Sequence, residues 1–234
     1  VIDIDPSLGQ AALNAQIEAL SADPATHGIL LELPLAKSLD SESAIDCIAP
    51  LKDVDGLTVT NLGRVAAGAE DLALVSATPR ACVALAETAG SLNGAAVAVV
   101  GRGRTVGRPL AAMLTNRNAT VTVCHSRTPD LAAALAPADM VFTATGSPGL
   151  VNGDVLRQGQ VVIDAGISVV DGGLVGDVDA DSAAPLVRAM TPVPGGVGPL
   201  TSTLIFENVL RAMQLQGVVG EDLWAGQSAE ADNA

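Results

Sequence analysis

Aromatic residues are nearly absent from this sequence of 234 residues. They make up 1% of the chain, with two Phe, one Trp and no Tyr, whereas 49% of the residues are hydrophobic. A core must therefore consist of Ala, Val, Leu and Ile, which is typical of parallel strands covered by helices. The length allows one large α/β domain or two smaller lobes, and we expect two lobes.

Cysteine is also scarce. Cys47, Cys82 and Cys124 are odd in number, far apart and outside any CxxC spacing. This pattern predicts neither a disulfide framework nor a zinc site, and we expect no metal. A reducing cytoplasm fits such a sequence best.

Basic residues and long apolar runs are lacking as well. The chain has 12 Lys and Arg against 26 Asp and Glu, a formal net charge of −14, which argues against nucleic acid or an anionic membrane surface as a partner. No apolar run approaches the roughly 18 residues of a membrane span. We expect a soluble protein with no nucleic-acid and no membrane partner.

Apolar spacing in the first part of the chain predicts a helix over 10–22, a short strand over 28–36 and a second helix over 41–51. Ser41 is a plausible cap of that second helix. Residues 52–68 are rich in Asp, Gly and Asn and are predicted to form an ordered loop of the kind that contacts ligands.

Strands and helices alternate in the second part, after a helix predicted over 80–90. The predicted strands are 95–100, 119–124, 140–145 and 160–166, with helices over 108–117 and 130–138. This alternation predicts a parallel sheet. A Pro/Gly-rich loop then precedes a predicted helix of about four turns, and the acidic stretch 221–234 is expected to be disordered.

A glycine loop, GRGRTVG (101–107), lies between a predicted strand and a predicted helix. In that position Gly101 permits a tight turn, Gly103 lets the backbone approach a phosphate, and Pro109 suits the first turn of a helix whose amino end attracts anions. Gly107 comes one residue later than in the usual dinucleotide fingerprint. The loop predicts a dinucleotide site; the alternative is a turn without a ligand.

The end of the second strand of this unit favours NADP over NAD. An NAD enzyme usually offers a carboxylate there, but this sequence has His125, Ser126 and Arg127. A hydroxyl beside a guanidinium suits a 2′-phosphate, and Arg102 adds a second cation. Alternatively, Arg127 is an ordinary solvated charge.

Several stretches together resemble one family. They are GILLELPL, KDVDGLTVTNLG, ATPRACVAL, VVGRGRTVGRPLA, TVTVCHSRT, TGSPG, VIDAGI and TPVPGGVGPLTSTLIFENV, in that order, and the resemblance spans residues 28–213. They resemble the signature stretches of methylenetetrahydrofolate dehydrogenase/cyclohydrolase. KDVDG together with PGGVGPLT is far more specific than a glycine loop alone.

The resemblance implies a protein with two lobes and an active site between them. An α/β folate-binding lobe would comprise residues 1–78 plus 200–234, and a Rossmann-type NADP lobe residues 79–199. The implied activity is oxidation of 5,10-methylenetetrahydrofolate with NADP, followed by hydrolysis to 10-formyltetrahydrofolate, in one-carbon metabolism and purine biosynthesis. A homodimer is also implied.

Site residues follow from the same resemblance, motif by motif. Asp55 would be the carboxylate that pairs with the pterin; from the residues alone, Asp53 competes for that role, and both could simply cap turns. The implied cofactor residues are Gly101, Arg102, Gly103, Ser126, Arg127 and Ile167, with Gly198 and Thr201 of the PGGVGPLT loop near the nicotinamide.

One departure concerns the start of the chain. The family's Tyr and Lys motif normally lies before the point where this sequence begins, and that Lys is thought to handle the hydrolytic step. Lys37 and Lys52, the only lysines, match no catalytic position. We therefore expect hydrolysis to be in doubt; a catalytically impaired or truncated family member is the alternative. A dehydrogenase of the shikimate or amino-acid type is disfavoured by KDVDG.

A second departure is Glu32, where the family usually has Gln. A carboxylate there would raise the pKa of a neighbouring lysine or act as a base itself, so Glu32 is a candidate catalytic residue; alternatively it faces solvent at a strand end. Gly103 replaces the usual Ser of the glycine loop. Neither His27 nor His125 lies in a pattern that suits a hydrolase triad or a metal site.

Overall fold

The structure, a computed structural model, describes residues 1–220, so the disorder expected for 221–234 lies outside the described residues. The helices are α1 (Gly9–Ala22), α2 (Ser41–Asp46), α3 (Val59–Ala66), α4 (Ala77–Ala89), α5 (Gly107–Asn116), α6 (Leu131–Leu135), α7 (Ala180–Ala183) and α8 (Val197–Leu215). The strands are β1 (Ala96–Val100), β2 (Thr120–Cys124), β3 (Met140–Thr143), β4 (Val161–Asp164), β5 (Ser168–Val170), β6 (Gly173–Val175) and β7 (Ala189–Met190). None of the helices described has the length and apolar character that crossing a membrane would require.

A five-stranded parallel sheet is the centre of the fold, in the order β2-β1-β3-β4-β7. The predicted α/β class with a parallel sheet is confirmed. Strand β1 pairs with β2 on one side and β3 on the other, with Val100 opposite Cys124 and Thr143. Strand β2 is thus added on one side of β1, and β3 and the later strands on the other. Ligands of open α/β sheets bind at such a switch point in the strand order, here between β1 and β3.

Both faces of this sheet are covered, as the unbroken apolar strands require. Val97 and Val99 of β1 pack on one face together with Leu110 and Met113 of α5, while Ala98 and Val100 pack on the other with residues of α6. The core is aliphatic, as composition predicts. The exception is Phe142 of β3, which is fully buried.

The strand predicted over 28–36 is wrong. Only Ile29 pairs with a neighbouring chain segment, in an isolated parallel bridge to Asp53. The amide of Ile29 donates to Lys52 O at 2.6 Å, and Val54 N donates to Ile29 O at 3.4 Å. A ladder needs a partner along its length, and here the pairing stops after one residue; Pro34 also lacks an amide donor.

Residues 41–68 differ from the prediction in two further ways. Helix α2 ends at Asp46 and is capped by Asp40, whose side chain accepts from Glu42 N, so the prediction of Ser41 as the cap is wrong. Residues 59–66 form α3, not a loop. The Thr, Asn and Gly in this helix have low helix propensity, but Asn61 and Val65 are buried and tertiary packing overrides that preference.

The other predicted helices are confirmed. Helix α1 begins one residue before the predicted start, and α4, predicted over 80–90, begins at Ala77 and ends at Ala89 with Gly90 as its C-cap. The predicted C-terminal helix is α8, which is 19 residues long and packs against α4. The antiparallel β5–β6 hairpin and the short strand β7 were not predicted.

Helix α8 also bonds back to the N-terminal part of the chain. The Asn208 amide donates to Val54 O at 2.8 Å and to Val75 O at 2.9 Å. Just after the helix, Gln216 Nε2 donates to His27 O and Leu51 O, both at 2.8 Å. A single helix therefore joins early and late parts of the sequence.

Candidate active site

A cavity of about 820 Å³ opens at the carboxyl edge of the parallel sheet, a size that suits a cofactor or drug-sized ligand. Its walls come from the loops after β1, β3 and β4, the Pro/Gly loop 192–199 and the start of α8. Four of the predicted site residues line it: Gly103, Ile167, Gly198 and Thr201.

The glycine loop requires glycine at its two ends. Gly101 has φ +119°, and a Cβ there would lie 2.2 Å from Ala144 O, across the gap between β1 and β3. A Cβ on Gly107 would lie 2.3 Å from Gly101 O. Gly103 differs from both, because no atom lies within 4 Å of the position its Cβ would take. The loop is therefore closed at both ends and open at Gly103.

Exposed cations lie beside this loop. Ser126 and Arg127 follow β2 and are exposed, as is Arg102. Within residues 1–220 neither arginine forms an ion pair, and no carboxylate stands at the end of β2. His125 serves the local turn, since its Nδ1 accepts from Arg127 N at 3.1 Å. Because β1 and β2 are neighbours, the two guanidinium groups follow adjacent strand ends.

Asp164 is a buried carboxylate that the sequence did not single out. One of its oxygens accepts from Thr143 Oγ1 at 2.8 Å and from Gly166 N at 2.9 Å, and the other from Val178 N at 3.0 Å. Asp164 also lines the cavity. It therefore fixes the backbone that carries the cavity wall after β4.

Asp177 holds the loop after β3 in place in the same way, by accepting hydrogen bonds from its backbone. It is fully buried, and its carboxylate accepts from Thr145 N at 2.5 Å and from Ser147 N at 2.9 Å. A Cβ on Gly166 would lie 2.2 Å from Asp177 Cγ, so these loops are closely packed. The only sign of these two buried carboxylates in the sequence is an Asp between apolar and Gly residues, Asp164 in VIDAG and Asp177 in VGDVD.

Asp53 and Asp55 are in contrasting environments. Asp53 is 1% exposed, and its carboxylate accepts from Leu57 N at 3.1 Å, Thr58 N at 2.7 Å and Asn61 Nδ2 at 3.0 Å. All of these partners belong to its own loop and to α3. Asp53 thus stabilises the turn, in agreement with the alternative that it caps a turn and does not bind the pterin.

Asp55 is half-buried, and its carboxylate accepts no hydrogen bond from residues 1–220. Burial, followed by the negative charges of Asp53 and Glu32, raises its pKa to about 7. The backbone there is tightly placed, since a Cβ on Gly56 would lie 2.5 Å from Ser76 N. Asp55 is therefore the carboxylate available to a ligand. Glu32 is exposed and close enough for its charge to act on Asp55.

Neither lysine of the chain is among the charges that shift the pKa of Asp55. Lys52 is 9% exposed, and its Nζ donates to Ser21 O and Asp23 O, both at 2.7 Å. It therefore stabilises the fold. Lys37 is exposed on the segment before α2.

Arg104 is a further residue that sequence reasoning missed. Its backbone belongs to the glycine loop, but its side chain contacts the N-terminal part of the chain. Nη2 lies 2.6 Å from Asp46 Oδ1 on α2 and 3.1 Å from Leu57 O. No sequence spacing indicates contacts over such separations.

Comparisons with known protein families match both parts of the chain. A model described as the tetrahydrofolate dehydrogenase/cyclohydrolase NAD(P)-binding domain matches residues 76–217. A model of the catalytic domain of the same enzymes matches residues 1–55.

Similar proteins carry the same description. A protein of Deinococcus radiodurans named "Bifunctional protein FolD" is 50% identical over 219 residues, which are 92% of this chain and 72% of that protein. One of Heliobacterium modesticaldum with the same name is 50% identical over 210 residues, 89% of this chain and 72% of that protein.

Solved structures agree. The bifunctional enzyme FolD of Campylobacter jejuni superposes with a TM-score of 0.84 at 36% identity, covering 89% of this chain and 74% of that one. The Trypanosoma brucei methylenetetrahydrofolate dehydrogenase-cyclohydrolase, complexed with NADP cofactor and inhibitor, gives a TM-score of 0.82 at 36% identity, with 90% and 74% covered.

Proposed function

We infer from the chain's membership of the tetrahydrofolate dehydrogenase/cyclohydrolase family that it is an enzyme of folate one-carbon chemistry. It oxidises 5,10-methylenetetrahydrofolate to 5,10-methenyltetrahydrofolate with NADP and hydrolyses the product to 10-formyltetrahydrofolate. The relatives are named bifunctional, so the doubt about hydrolysis and the alternative of a catalytically impaired protein are not borne out.

The observation that carries the proposal is the cavity between the glycine loop and the Pro/Gly loop. The backbone there leaves no room for a side chain at Gly101, and the start of α5 follows directly, as a phosphate site requires. The exposed guanidinium groups of Arg102 and Arg127, with the Ser126 hydroxyl, suit a 2′-phosphate. These residues fit NADP, which supplies the acceptor for hydride when bound.

On the cofactor side, Ile167, Gly198 and Thr201 line the cavity opposite the glycine loop. We assign them to the nicotinamide end of the cofactor. Gly198 leaves space there, since its Cβ would meet only Ile167 Cδ1, at 3.9 Å. Hydride transfer needs no nucleophilic side chain, so the task of these residues is to position the ring and exclude water.

On the folate side, we assign Asp55 to the pterin. A carboxylate with no protein partner can accept two parallel hydrogen bonds from the amino group and the adjacent ring N–H of a pterin. Glu32, whose charge reaches Asp55, is proposed as the base that accepts a proton from water in the hydrolytic step.

We propose that residues 1–78 with 200–220 form the folate lobe and that 79–199 form the NADP lobe; the remainder of the folate lobe expected from the sequence, 221–234, lies outside the described residues. The bonds from Asn208 to Val54 and Val75 support grouping α8 with the first lobe. A cytoplasmic homodimer that serves purine biosynthesis, with no nucleic-acid or membrane partner, is also proposed. The net charge of −14 supports the last two exclusions.

The test follows NADPH formation after 5,10-methylenetetrahydrofolate is added to enzyme and NADP, and then the decay of methenyltetrahydrofolate by absorbance. We expect both signals. NADP binding without NADPH formation would contradict the dehydrogenase. Glu32→Ala, which removes the carboxylate without introducing the Gln that the family usually has, should slow methenyl decay and leave NADPH formation unchanged at saturating methylenetetrahydrofolate; unchanged decay would remove Glu32 from the hydrolytic step.

A further inference from the structure

Arg104 connects the cofactor loop with helix α2. Its side chain is 19% exposed, and Nη2 lies 2.6 Å from Asp46 Oδ1 while Nη1 lies 3.6 Å from Glu42 Oε2. Both carboxylates belong to α2. The contact with Asp46 has the length of a strong charge-assisted hydrogen bond.

The same guanidinium also holds the backbone beside Asp55. Leu57 O accepts from Arg104 Nε at 3.3 Å and from Nη2 at 3.1 Å. Leu57 in turn donates its amide to Asp53, so this carbonyl belongs to the turn that presents Asp55. One side chain therefore binds α2 and the KDVDG turn together.

The backbone of Arg104 is equally well placed on the cofactor side. The residues before and after it, Gly103 and Thr105, both line the cavity. A movement of the loop around a bound dinucleotide must therefore move the Arg104 side chain, and with it Leu57. The rigid fork of an arginine transmits such a shift better than a flexible ammonium group.

We propose that Arg104 is a positioning residue that couples the two ligand sites, so that a dinucleotide on the glycine loop sets the Asp55 turn for folate. This inference rests on the proposed function, since it takes NADP and folate as the two ligands. Coupling of this kind is reciprocal: each ligand tightens the other by the same factor.

Another arginine provides a matched comparison. Arg117, at the end of α5, lies 3.1 Å from Glu70 Oε1 and so also links residues after 79 with the N-terminal part. It does not line the cavity and forms no hydrogen bond or ion pair with the glycine loop or the KDVDG turn. If any ion pair between these parts sufficed, the two arginines would be equivalent.

The experiment measures the Kd of NADP by calorimetry on the full chain, without and with saturating tetrahydrofolate, which has no methylene group to oxidise. In the wild type we expect tetrahydrofolate to tighten NADP about fivefold or more. Arg104→Met should bring this ratio to within about twofold of one, whereas Arg104→Lys should restore part of it. Arg117→Met should keep the wild-type ratio.

Three results would overturn the inference: a wild-type ratio of one, an unchanged ratio in Arg104→Met, or an equal loss in Arg117→Met. Asp46→Asn, which keeps the arginine, provides a second variant should Arg104→Met fail to fold, and we expect a smaller loss of the ratio. A wild-type enzyme that oxidises methylenetetrahydrofolate but shows no coupling refutes only this inference. An enzyme that binds no tetrahydrofolate refutes the proposed function as well.

Discussion

The carboxylates of Asp53 and Asp55 stand two residues apart and have opposite hydrogen-bonding states. Asp53 accepts three hydrogen bonds from its own loop and α3, while Asp55 accepts none from residues 1–220. The charge of Asp53 also helps to raise the pKa of Asp55 to about 7, after the larger effect of burial. One carboxylate thus shapes the turn, and the other remains available to a ligand.

Exchanging each carboxylate for an amide should separate these roles. Asp55→Asn removes the charged acceptor, and we expect the KM for methylenetetrahydrofolate to rise roughly ten- to a hundredfold, with the Kd of NADP unchanged. Asp53→Asn instead should lower the free energy of unfolding by about 1–3 kcal/mol, because buried donors lose their acceptor. Kinetics and thermal unfolding of both variants check this. Equal loss of NADP binding in Asp55→Asn would mean a structural role.

The raised pKa of Asp55 predicts two pH dependences. Pairing with a pterin requires the carboxylate, so folate affinity should fall as pH drops below about 7, by up to about tenfold per pH unit. Asp55→Asn should lack this dependence. A KM profile that is flat between about pH 6 and 8 in the wild type would argue against Asp55 as the pterin ligand.

Stability should change with pH in the opposite sense. The folded protein holds the Asp55 proton more tightly than the unfolded chain, because the pKa rises from 3.8 to about 7. The stabilisation from this proton is fully present at pH values below the unfolded-state pKa of 3.8, and it is lost as the pH rises through the folded-state pKa of about 7. Relative to wild type, Asp55→Asn should therefore be more stable at about pH 8 than at about pH 4. Denaturant unfolding at the two pH values measures the difference.

Glycines 101 and 103 should respond differently to a side chain. Gly101→Ala places a Cβ 2.2 Å from Ala144 O at φ +119°. We therefore expect the free energy of unfolding to fall by about 1–3 kcal/mol and NADP binding to be lost. Gly103→Ser meets no atom within 4 Å and should leave stability unchanged, with NADP bound as well or better. Calorimetric unfolding and NADP titration test the pair. A strongly destabilised Gly103→Ser would contradict the open position.

Arg127 should govern the choice of cofactor. Arg127→Asp replaces a cation at the end of β2 with the carboxylate typical of NAD enzymes. We expect the ratio of kcat/KM for NADP over NAD to fall about tenfold or more. Arg188→Asp is the matched control, since Arg188 is exposed just before β7, at the opposite edge of the sheet. If both variants gave the same ratio, net charge and not the 2′-phosphate site would be responsible.

The parallel sheet and its glycine loop were predictable because they depend on local pattern. Apolar runs of strand length alternate with helical spacing, and the position of Gly101 after β1 follows from that order. The hydroxyl and guanidinium of Ser126 and Arg127 were predictable for the same reason. Their position depends only on where β2 ends.

Features that depend on distant contacts were not predictable. Helix α3 forms despite poor helix formers because Asn61 and Val65 are buried by other segments. Arg104 has its partners 58 and 47 residues away, and nothing in GRGRTVG distinguishes it from a solvated charge. The sequence around Asp164 does not indicate that the backbone amides of Gly166, Asp177 and Val178 all donate to its carboxylate, because two of these residues lie more than ten positions away.

The bonds that α8 makes with the beginning of the chain set an order of events during synthesis. The side-chain amide of Asn208 donates a hydrogen bond to the carbonyl of Val54, which lies 154 residues earlier in the sequence. A ribosome releases the amino-terminal residues first, and contacts of such high sequence separation form slowly. The nascent amino-terminal part therefore leaves the ribosome with the carbonyls of Val54 and Val75 still hydrated. It reaches the described fold only after α8 has emerged.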